Sequence, residues 1–266
     1  MEKCACGMSN GAHITRVRKE DYAKLVLQNP AASTNEKARL WRRIAQEYSS
    51  LSLSISSDKV PALSGLAEQL RPRRHGKYLA GLWEDSLVLD MLWYQPSNKR
   101  SKGSYKVSSI PAESLNLRAP SWSWISVDGE VEWDQRLYWR GGDEEIKVYC
   151  SITECECIPA GQSLTGEVVS GYIKMECFML QGFLLDTKLT VGDLPMSYHA
   201  DNRSLRGDEV VHLIKMALLW NECLLVLRLV DPIQESYQRI GYACVLERQT
   251  GRSLAWPSEL KTIIII

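Results

Sequence analysis

Residues 118–129, Arg118-Ala119-Pro120-Ser121-Trp122-Ser123-Trp124-Ile125-Ser126-Val127-Asp128-Gly129, place two tryptophans two positions apart just ahead of a turn dipeptide. Asp-Gly between β-favouring runs is a preferred centre for a two-residue type I′ turn, because both central positions of that turn need positive φ. The spacing therefore predicts a hairpin. With the turn at Asp128-Gly129, Val127 faces Glu130, Ser126 faces Val131, Ile125 faces Glu132, and Trp124 stands across from Trp133. Trp122, Trp124, Val131 and Trp133 then share one sheet face by the two-residue period of strands. A cross-strand aromatic pair contributes on the order of 0.5–1 kcal/mol beyond the area it buries, and such a face needs a cover. Packing on a helical layer is the first reading. A stacking platform for a sugar, a base or a nicotinamide ring is the second, and it lacks nearby convergent polar groups of the kind such a pocket uses.

The period of the apolar residues changes along the chain. Residues 1–32 show weak periodicity and read as a poorly ordered or partly helical lead-in. Ser33 and Glu36 form a capping-box pattern, and Leu40, Trp41, Ile44, Ala45 and Tyr48 follow on one helical face, which predicts a helix from Thr34 to Tyr48. A second helix is expected to be capped by Ser57 or Asp58, with Pro61 in its first turn and Val60, Leu63, Leu66, Ala67 and Leu70 on its apolar face. Gly65 weakens it by about 1 kcal/mol relative to Ala, which suggests close packing there. A third helix carrying Leu79, Leu82, Trp83, Leu87, Met91 and Tyr94 is predicted to end before Pro96. The Ser-, Lys- and Gly-rich stretch 95–117 reads as a surface loop.

From Ala119 the period is two. Val148, Cys150 and Ile152 alternate with polar neighbours, as do Ile173, Met175 and Cys177, while Val211–Leu219 and Cys223–Val230 suit a central hairpin and Tyr237–Leu246 a last strand. Ile263-Ile264-Ile265-Ile266 is strongly β-prone and aggregation-prone unless it docks in a sheet. Helices followed by strands define an α+β class, N-terminal helices packed on a mostly antiparallel β-sheet region. The expected division is a lead-in over 1–32, a helical part over 33–117 and a β-rich region over 118–266.

Lys+Arg and Asp+Glu both number 32, so no net charge draws the chain to nucleic acid or to an anionic membrane, and neither partner is expected. The basic run Arg71-Pro72-Arg73-Arg74-His75-Gly76-Lys77 reads as a solvated loop. Met1-Glu2-Lys3-Cys4-Ala5-Cys6-Gly7 lacks the apolar core of a signal peptide and no 18-residue apolar run occurs, so the expected location is cytoplasmic. The eight cysteines are accordingly read as reduced thiols. Cys4-x-Cys6 and Cys155-x-Cys157 lack the C-x₂-C spacing of zinc sites, and Cys155 and Cys157 share a strand face, so no metal and no cofactor are expected.

No G-x-S-x-G, G-x-G-x-x-G, P-loop or H-E-x-x-H occurs, and His13, His75, His199 and His212 are scattered. A Cys223–His212 dyad requires the fold to bring the two together, and two core strand residues are the commoner outcome. Glu84-Asp85 reads as a helix-terminus pair rather than a general acid/base pair. Asp201, Arg203, Arg206, Asp208 and Glu209 form a polar loop, the kind of segment that discriminates between partners. No catalytic residue is assigned.

Tyr48-Ser49, then 58–67 (Asp58-Lys59-Val60-Pro61-Ala62-Leu63-Ser64-Gly65-Leu66-Ala67), 78–84 (Tyr78-Leu79-Ala80-Gly81-Leu82-Trp83-Glu84), Leu92-Trp93, and Ala119-Pro120-Ser121-Trp122-Ser123-Trp124 occur in order and at compatible spacing. Together with 166–173 and Tyr237-Gln238-Arg239-Ile240-Gly241, they resemble fungal heterokaryon-incompatibility (HET) domain proteins, at and after the end of the HET domain. Asp58, Pro61, Gly65, Gly81, Trp83, Pro120, Trp122, Trp124, Asp128, Gly129, Trp133, Arg239 and Gly241 carry this signature. The resemblance implies a relative of a Toll/interleukin-receptor-like α/β unit tied to cell death when unlike strains fuse, with NAD-consuming activity suspected in some members. The family's early boxes have no counterpart before Asp58, so no family catalytic residue is carried over. The expected function is a non-catalytic HET-like module acting by protein interaction in fungal allorecognition, with another HET-like or allorecognition protein as partner. The alternative is an accessory factor or enzyme recruited to a specialised-metabolite pathway, with a small-molecule ligand on the Trp122/Trp124/Trp133 face.

Overall fold

Ser33 opens the first long helix by capping in both directions: its Oγ accepts the Glu36 amide at 3.2 Å, and the Glu36 carboxylate accepts the Ser33 amide at 2.9 Å. The computed structural model describes residues 19–22, 29, 31–51, 59–96, 119–138, 146–201, 208–245 and 253–266. A short turn of helix, α1 (Lys19–Tyr22), is followed by the capped α2 (Thr34–Ser49), which buries Leu40, Trp41, Ile44 and Ala45. Helix α3 (Lys59–Leu70) buries Val60, Leu63, Ala67 and Leu70. Gly65 on α3 is exposed, and nothing lies within 4 Å of where its Cβ would stand, so the close packing expected there is absent. The expected caps Ser57 and Asp58, most of the lead-in and most of the 95–117 loop lie outside the described residues.

The predicted third helix is mostly not a helix. Tyr78–Leu79 (β1) and Leu82–Trp83 (β2) pair antiparallel around Ala80-Gly81, whose φ values of 44° and 94° are those of a type I′ turn. Only Leu87–Asp90 (α4), preceded by a 3₁₀ turn at Glu84–Ser86, is α-helical. Apolar residues on both sides of this small hairpin are buried, so its spacing imitates a helical stripe. Edge-to-face contacts among Trp41, Tyr78 and Trp83, with ring centroids 5.2–5.8 Å apart, fix it against α2.

The predicted hairpin at Asp128-Gly129 does not form. Gly129 has φ +93° but Asp128 stays out of the left-handed region, and a type I′ turn needs both. Trp124–Ser126 instead makes a 3₁₀ turn capped by Ser123, and Glu132 pairs with Tyr94 through two bonds of 2.8 and 2.9 Å. Ser49 Oγ accepts the Val131 amide at 3.0 Å, and Gln95 Nε2 donates to the Asp128 carbonyl at 2.5 Å. Partners distant in sequence therefore hold this segment open. Residues 119–138 are turns, one bridge and 3₁₀ helix, and among the described residues the strands of the β-region begin at Lys147.

The strands are β3 (Lys147–Val148), β4 (Ser151–Pro159), β5 (Val168–Cys177), β6 (Met179–Leu185), β7 (Lys188–Val191), β8 (Leu194–Ala200), β9 (Glu209–Leu218), β10 (Glu222–Asp231), β11 (Ser236–Cys244) and β12 (Lys261–Ile265). Pairing runs β10-β9-β6-β7-β8-β11, and β11 pairs back to β10, so these six strands close into a ring. Every pairing is antiparallel except β11–β12. Leu184, Leu189, Val211, Leu213, Leu224, Val226, Ile240 and Ala243 form one buried cluster, which the ring encloses. Cys223, Leu225, Leu227, Tyr237 and Tyr242, from the alternate positions, join the cluster that also contains the buried side chains of α2, α3 and the tryptophans. Strands β10 and β11 thus face apolar surroundings on both sides, which is why 223–227 is an unbroken apolar run.

The isoleucine tail is an interior strand. β12 lies between β5, antiparallel with Ile263 opposite Met175 and Ile265 opposite Ile173, and β11, parallel with Ile264 opposite Ser236. Ile263 and Ile265 are buried. The molecule is α+β with a mostly antiparallel sheet, and no helix among the described residues is long and apolar enough to cross a membrane.

Candidate functional site

The tryptophans singled out in the sequence converge, but not as a ladder. Trp122 and Trp124 are 0% exposed and Trp133 is 2% exposed, so none presents a ring to a ligand from solvent. Four indole N–H groups pin the surrounding backbone, while those of Trp83 and Trp122 are buried without a hydrogen-bond partner. Trp41 and Trp124 both donate their indole N–H to the Gly81 carbonyl, at 2.8 and 3.0 Å, Trp133 donates to the Asp90 carbonyl at 2.8 Å, and Trp93 donates to the Trp122 carbonyl at 3.0 Å. Gly81 is required twice over: its φ is positive, and a Cβ would stand 2.7 Å from Ile125 Cδ1. The Trp122/Trp124/Trp133 platform is replaced by a sealed aromatic core because the strand pairing that would have displayed it does not occur.

Arg239 locks that core to the sheet. It is buried on β11, and Nε and Nη2 contact the two oxygens of Asp201 at 2.8 and 3.1 Å. Nη1 donates to the Met91 carbonyl and Nη2 to the Trp93 carbonyl, while the guanidinium lies 3.5 Å from the centre of the Trp93 ring. Its backbone amide donates to Ser121 Oγ at 3.0 Å. Asp201, expected in a partner-discriminating loop, is instead the buried counter-ion. Burial pushes its carboxyl upward, against the pull of Arg239. Asp90 is a second buried carboxylate, bound by Arg42 Nε at 2.7 Å and Ser86 Oγ at 2.6 Å.

The basic run is not wholly solvated either. Arg71 and Arg73 are outside the core, but Arg74 is buried, paired with Asp85 and Ser86 and 5.1 Å over Trp83. Asp85 also accepts the His75 amide at 3.1 Å, and Glu84 accepts the Lys77 amide at 2.8 Å, so these carboxylates fasten the 74–77 loop rather than a helix end alone. Of the remaining signature residues, Pro61 is exposed on α3, Gly241 lies where a Cβ would meet Tyr198 and the His199 carbonyl, and Asp58 lies outside the described residues. Arg203 and Arg206 lie outside them too, and Glu209 is paired with Arg228.

The Cys223–His212 dyad is not assembled. His212 packs edge-on against Tyr237, 5.2 Å between centroids, whereas Cys223 Sγ accepts the Tyr242 hydroxyl at 3.2 Å. The histidine grouped with Tyr242 is His199, which also meets Tyr94 at 4.9 Å. Burial holds the Cys223 thiol and the Tyr242 hydroxyl well above their ordinary values and His199 below its own. A thiol needs a base beside it to become a nucleophile, and a tyrosine that keeps its proton is not one. No His/Cys/Asp/Glu group that could hold a metal occurs among the described residues.

The exposed candidate is a groove of about 320 Å³ lined by Ala119, Pro120, Val169, Ser170, Gly171, Val230, Gln238 and Ile266. It lies beyond the last pair of β12 with β5. That pair is Ile265 with Ile173, while β5 runs on to Val168, and a gap lies past Ile266 beside β11. Ile266 closes the gap's inner end, donating to the Tyr237 carbonyl at 2.9 Å and accepting from Ser121. Gly171 lets Pro120 lie on β5, since a Cβ there would stand 2.9 Å from the proline ring. Val169 is 70% exposed, Val230 51% and Ile266 40%, and Ile158, opposite Ser170 on β4, is also exposed. Only Ser170 and Gln238 bring side-chain polarity, which suits an apolar side chain of a protein partner better than a reacting substrate. Sequence reasoning missed the groove, because its lining comes from five separate segments. The chain matches no family model, no curated protein and no solved structure.

Proposed function

We propose that this protein is a non-catalytic HET-like module that acts by protein interaction in fungal allorecognition or its regulation, in the cytoplasm. In this reading the N-terminal helices and the tryptophan core pack on the sheet as a scaffold, and the groove beside Pro120 receives an apolar side chain of another HET-like or allorecognition protein.

The observation that carries the reading is where the resembling residues sit. Gly81, Trp83, Trp122, Trp124, Trp133 and Arg239 are engaged in one buried system of rings and backbone bonds. They meet one another and their surroundings through rings, backbone bonds and the Arg239–Asp201 ion pair, a pattern that supports reading the signature as a scaffold. An exposed apolar groove beside such a scaffold favours docking.

An NAD-hydrolysis assay on the purified chain tests the non-catalytic claim, and steady turnover that survives repurification sinks it. Strains expressing Val169→Asp or Val230→Asp test the docking claim. These solvent-side changes are expected to leave the fold intact and to weaken the incompatibility response, whereas a response unchanged with both substitutions present removes the groove from the function.

A further inference from the structure

Cys223 on β10 stands directly opposite Cys244 on β11. The pair beyond it, Glu222 with Val245, is hydrogen-bonded, since the Val245 amide donates to the Glu222 carbonyl at 3.2 Å. Hydrogen-bonded and non-hydrogen-bonded pairs alternate along an antiparallel ladder. Cys223 and Cys244 therefore occupy a non-hydrogen-bonded pair, where Cα atoms lie about 4.5 Å apart and the side chains approach most closely. That separation falls inside the range of about 4.4–6.8 Å that a disulfide spans. Facing residues share a sheet side, and both cysteines belong to the same buried cluster as free thiols.

The other cysteines are placed differently. Cys155 and Cys157 lie two apart on one strand, with side chains parallel rather than converging. Cys150 lies just outside β4 with its sulfur on Met216, 3.8 Å from Sδ, while the Cys177 sulfur lies 3.9 Å from the Lys261 carbonyl. Among the described cysteines, Cys223 and Cys244 face each other within two paired strands, whereas Cys150 and Cys177 come near each other just past the end of the β4–β5 ladder.

We propose that Cys223 and Cys244 are a latent redox site, a dithiol that a hydroperoxide closes into a cross-strand disulfide locking β10 to β11. In the first step the Cys223 sulfur attacks the O–O bond, giving a sulfenic acid and releasing the alcohol, or water when the oxidant is hydrogen peroxide. In the second, the Cys244 sulfur attacks the sulfenic sulfur and displaces water. Two thiols are oxidised, one peroxide is reduced, and both thiol protons leave in the products.

Tyr242 Oη donates to the Cys223 sulfur, a contact that favours a developing thiolate once the strands open. Burial otherwise keeps both thiols protonated, raising that of Cys244 to about 12, so the site is quiet in the closed fold and reacts when the strands open locally. This makes it a latch that responds to sustained oxidation.

The test uses the full chain treated with hydrogen peroxide, alkylated with N-ethylmaleimide, digested and mapped by mass spectrometry. The expected result is a joined peptide pair containing Cys223 and Cys244, two hydrogens lighter than the separate peptides and returned to two alkylatable thiols by dithiothreitol. In Cys244→Ser the joined species disappears and Cys223 is trapped as a dimedone adduct. Full alkylation of both residues after oxidation that modifies Cys150 or Cys155 overturns the proposal. So does a joined species that pairs Cys223 with any other cysteine.

Discussion

Replacing Arg239 by methionine keeps much of the side-chain volume but removes every contact that the guanidinium makes. Asp201 then remains as a buried carboxylate without its cation, and the Met91 and Trp93 carbonyls lose their donors. Removing one partner of a buried ion pair costs about 3–5 kcal/mol, chiefly because the other charge is stranded. Against a typical total stability of about 5–15 kcal/mol that is a large fraction. With a urea slope of about 3 kcal/mol per molar, the unfolding midpoint falls by about 1–1.7 M. The double variant Asp201→Asn/Arg239→Met removes the stranded charge and is expected to recover part of the loss, so that the two substitutions are non-additive. Urea unfolding followed by tryptophan fluorescence reads both, since Trp93 lies against the guanidinium. A loss below about 1 kcal/mol for Arg239→Met, or a double variant no more stable than that single one, refutes the assignment of Arg239 as the lock between sheet and tryptophan core.

Two glycines on the same side of the sequence resemblance should respond oppositely to alanine. Gly65→Ala at an exposed position of α3 is expected to raise stability by about 0.5–1 kcal/mol, whereas Gly81→Ala loses about 1–2 kcal/mol from its left-handed backbone alone and more from the clash with Ile125; equal urea midpoints for the two variants contradict the turn geometry. Ile265→Ala empties a fully buried site between β5 and β11 and should cost about 2–5 kcal/mol by the same measurement, a result under 1 kcal/mol meaning that the tail is not an interior strand. Burial depresses the folded-state affinity of His199 for protons, so the unfolded chain binds its proton first. Its contribution to stability is intact above the unfolded value of about 6.5 and declines as pH falls through it towards the lower folded value. His199→Asn should therefore flatten the fall in thermal midpoint between neutral and mildly acidic buffer; an unchanged slope rules this source out.

The elements readable from the chain were those with a local cause. Ser33 and Glu36 are three residues apart and cap α2 without help from elsewhere, and the two-residue alternation from Val148 onward follows from each strand having its own two faces. The β9–β10 hairpin belongs to the same class, whereas the docking of the isoleucine tail depends on β5 and β11. The failures share a different character. Asp128-Gly129 has the better hairpin dipeptide and Ala80-Gly81 the poorer, yet the tight turn is at Ala80-Gly81, where two indoles bind the Gly81 carbonyl and three aromatic rings close over β1 and β2. Turn preferences differ by amounts that one buried aromatic cluster overrides. Neither the expected partner-discriminating place of Asp201 nor the expected solvated place of Arg74 is found, since Arg239 and Asp85 bury them from other elements.

By itself, the order of residues determined the helix cap, the strand periods, the α+β class and the absence of any local catalytic motif, because each depends on neighbours within one turn or one strand. The tertiary structure alone decided that the tryptophans are sealed, that Arg239 holds Asp201 and two carbonyls at once, that the strands close into a ring, and that β12 ends at an apolar groove. Those outcomes depend on contacts between segments tens to more than a hundred residues apart. No periodicity encodes which carbonyl a buried indole or guanidinium will reach.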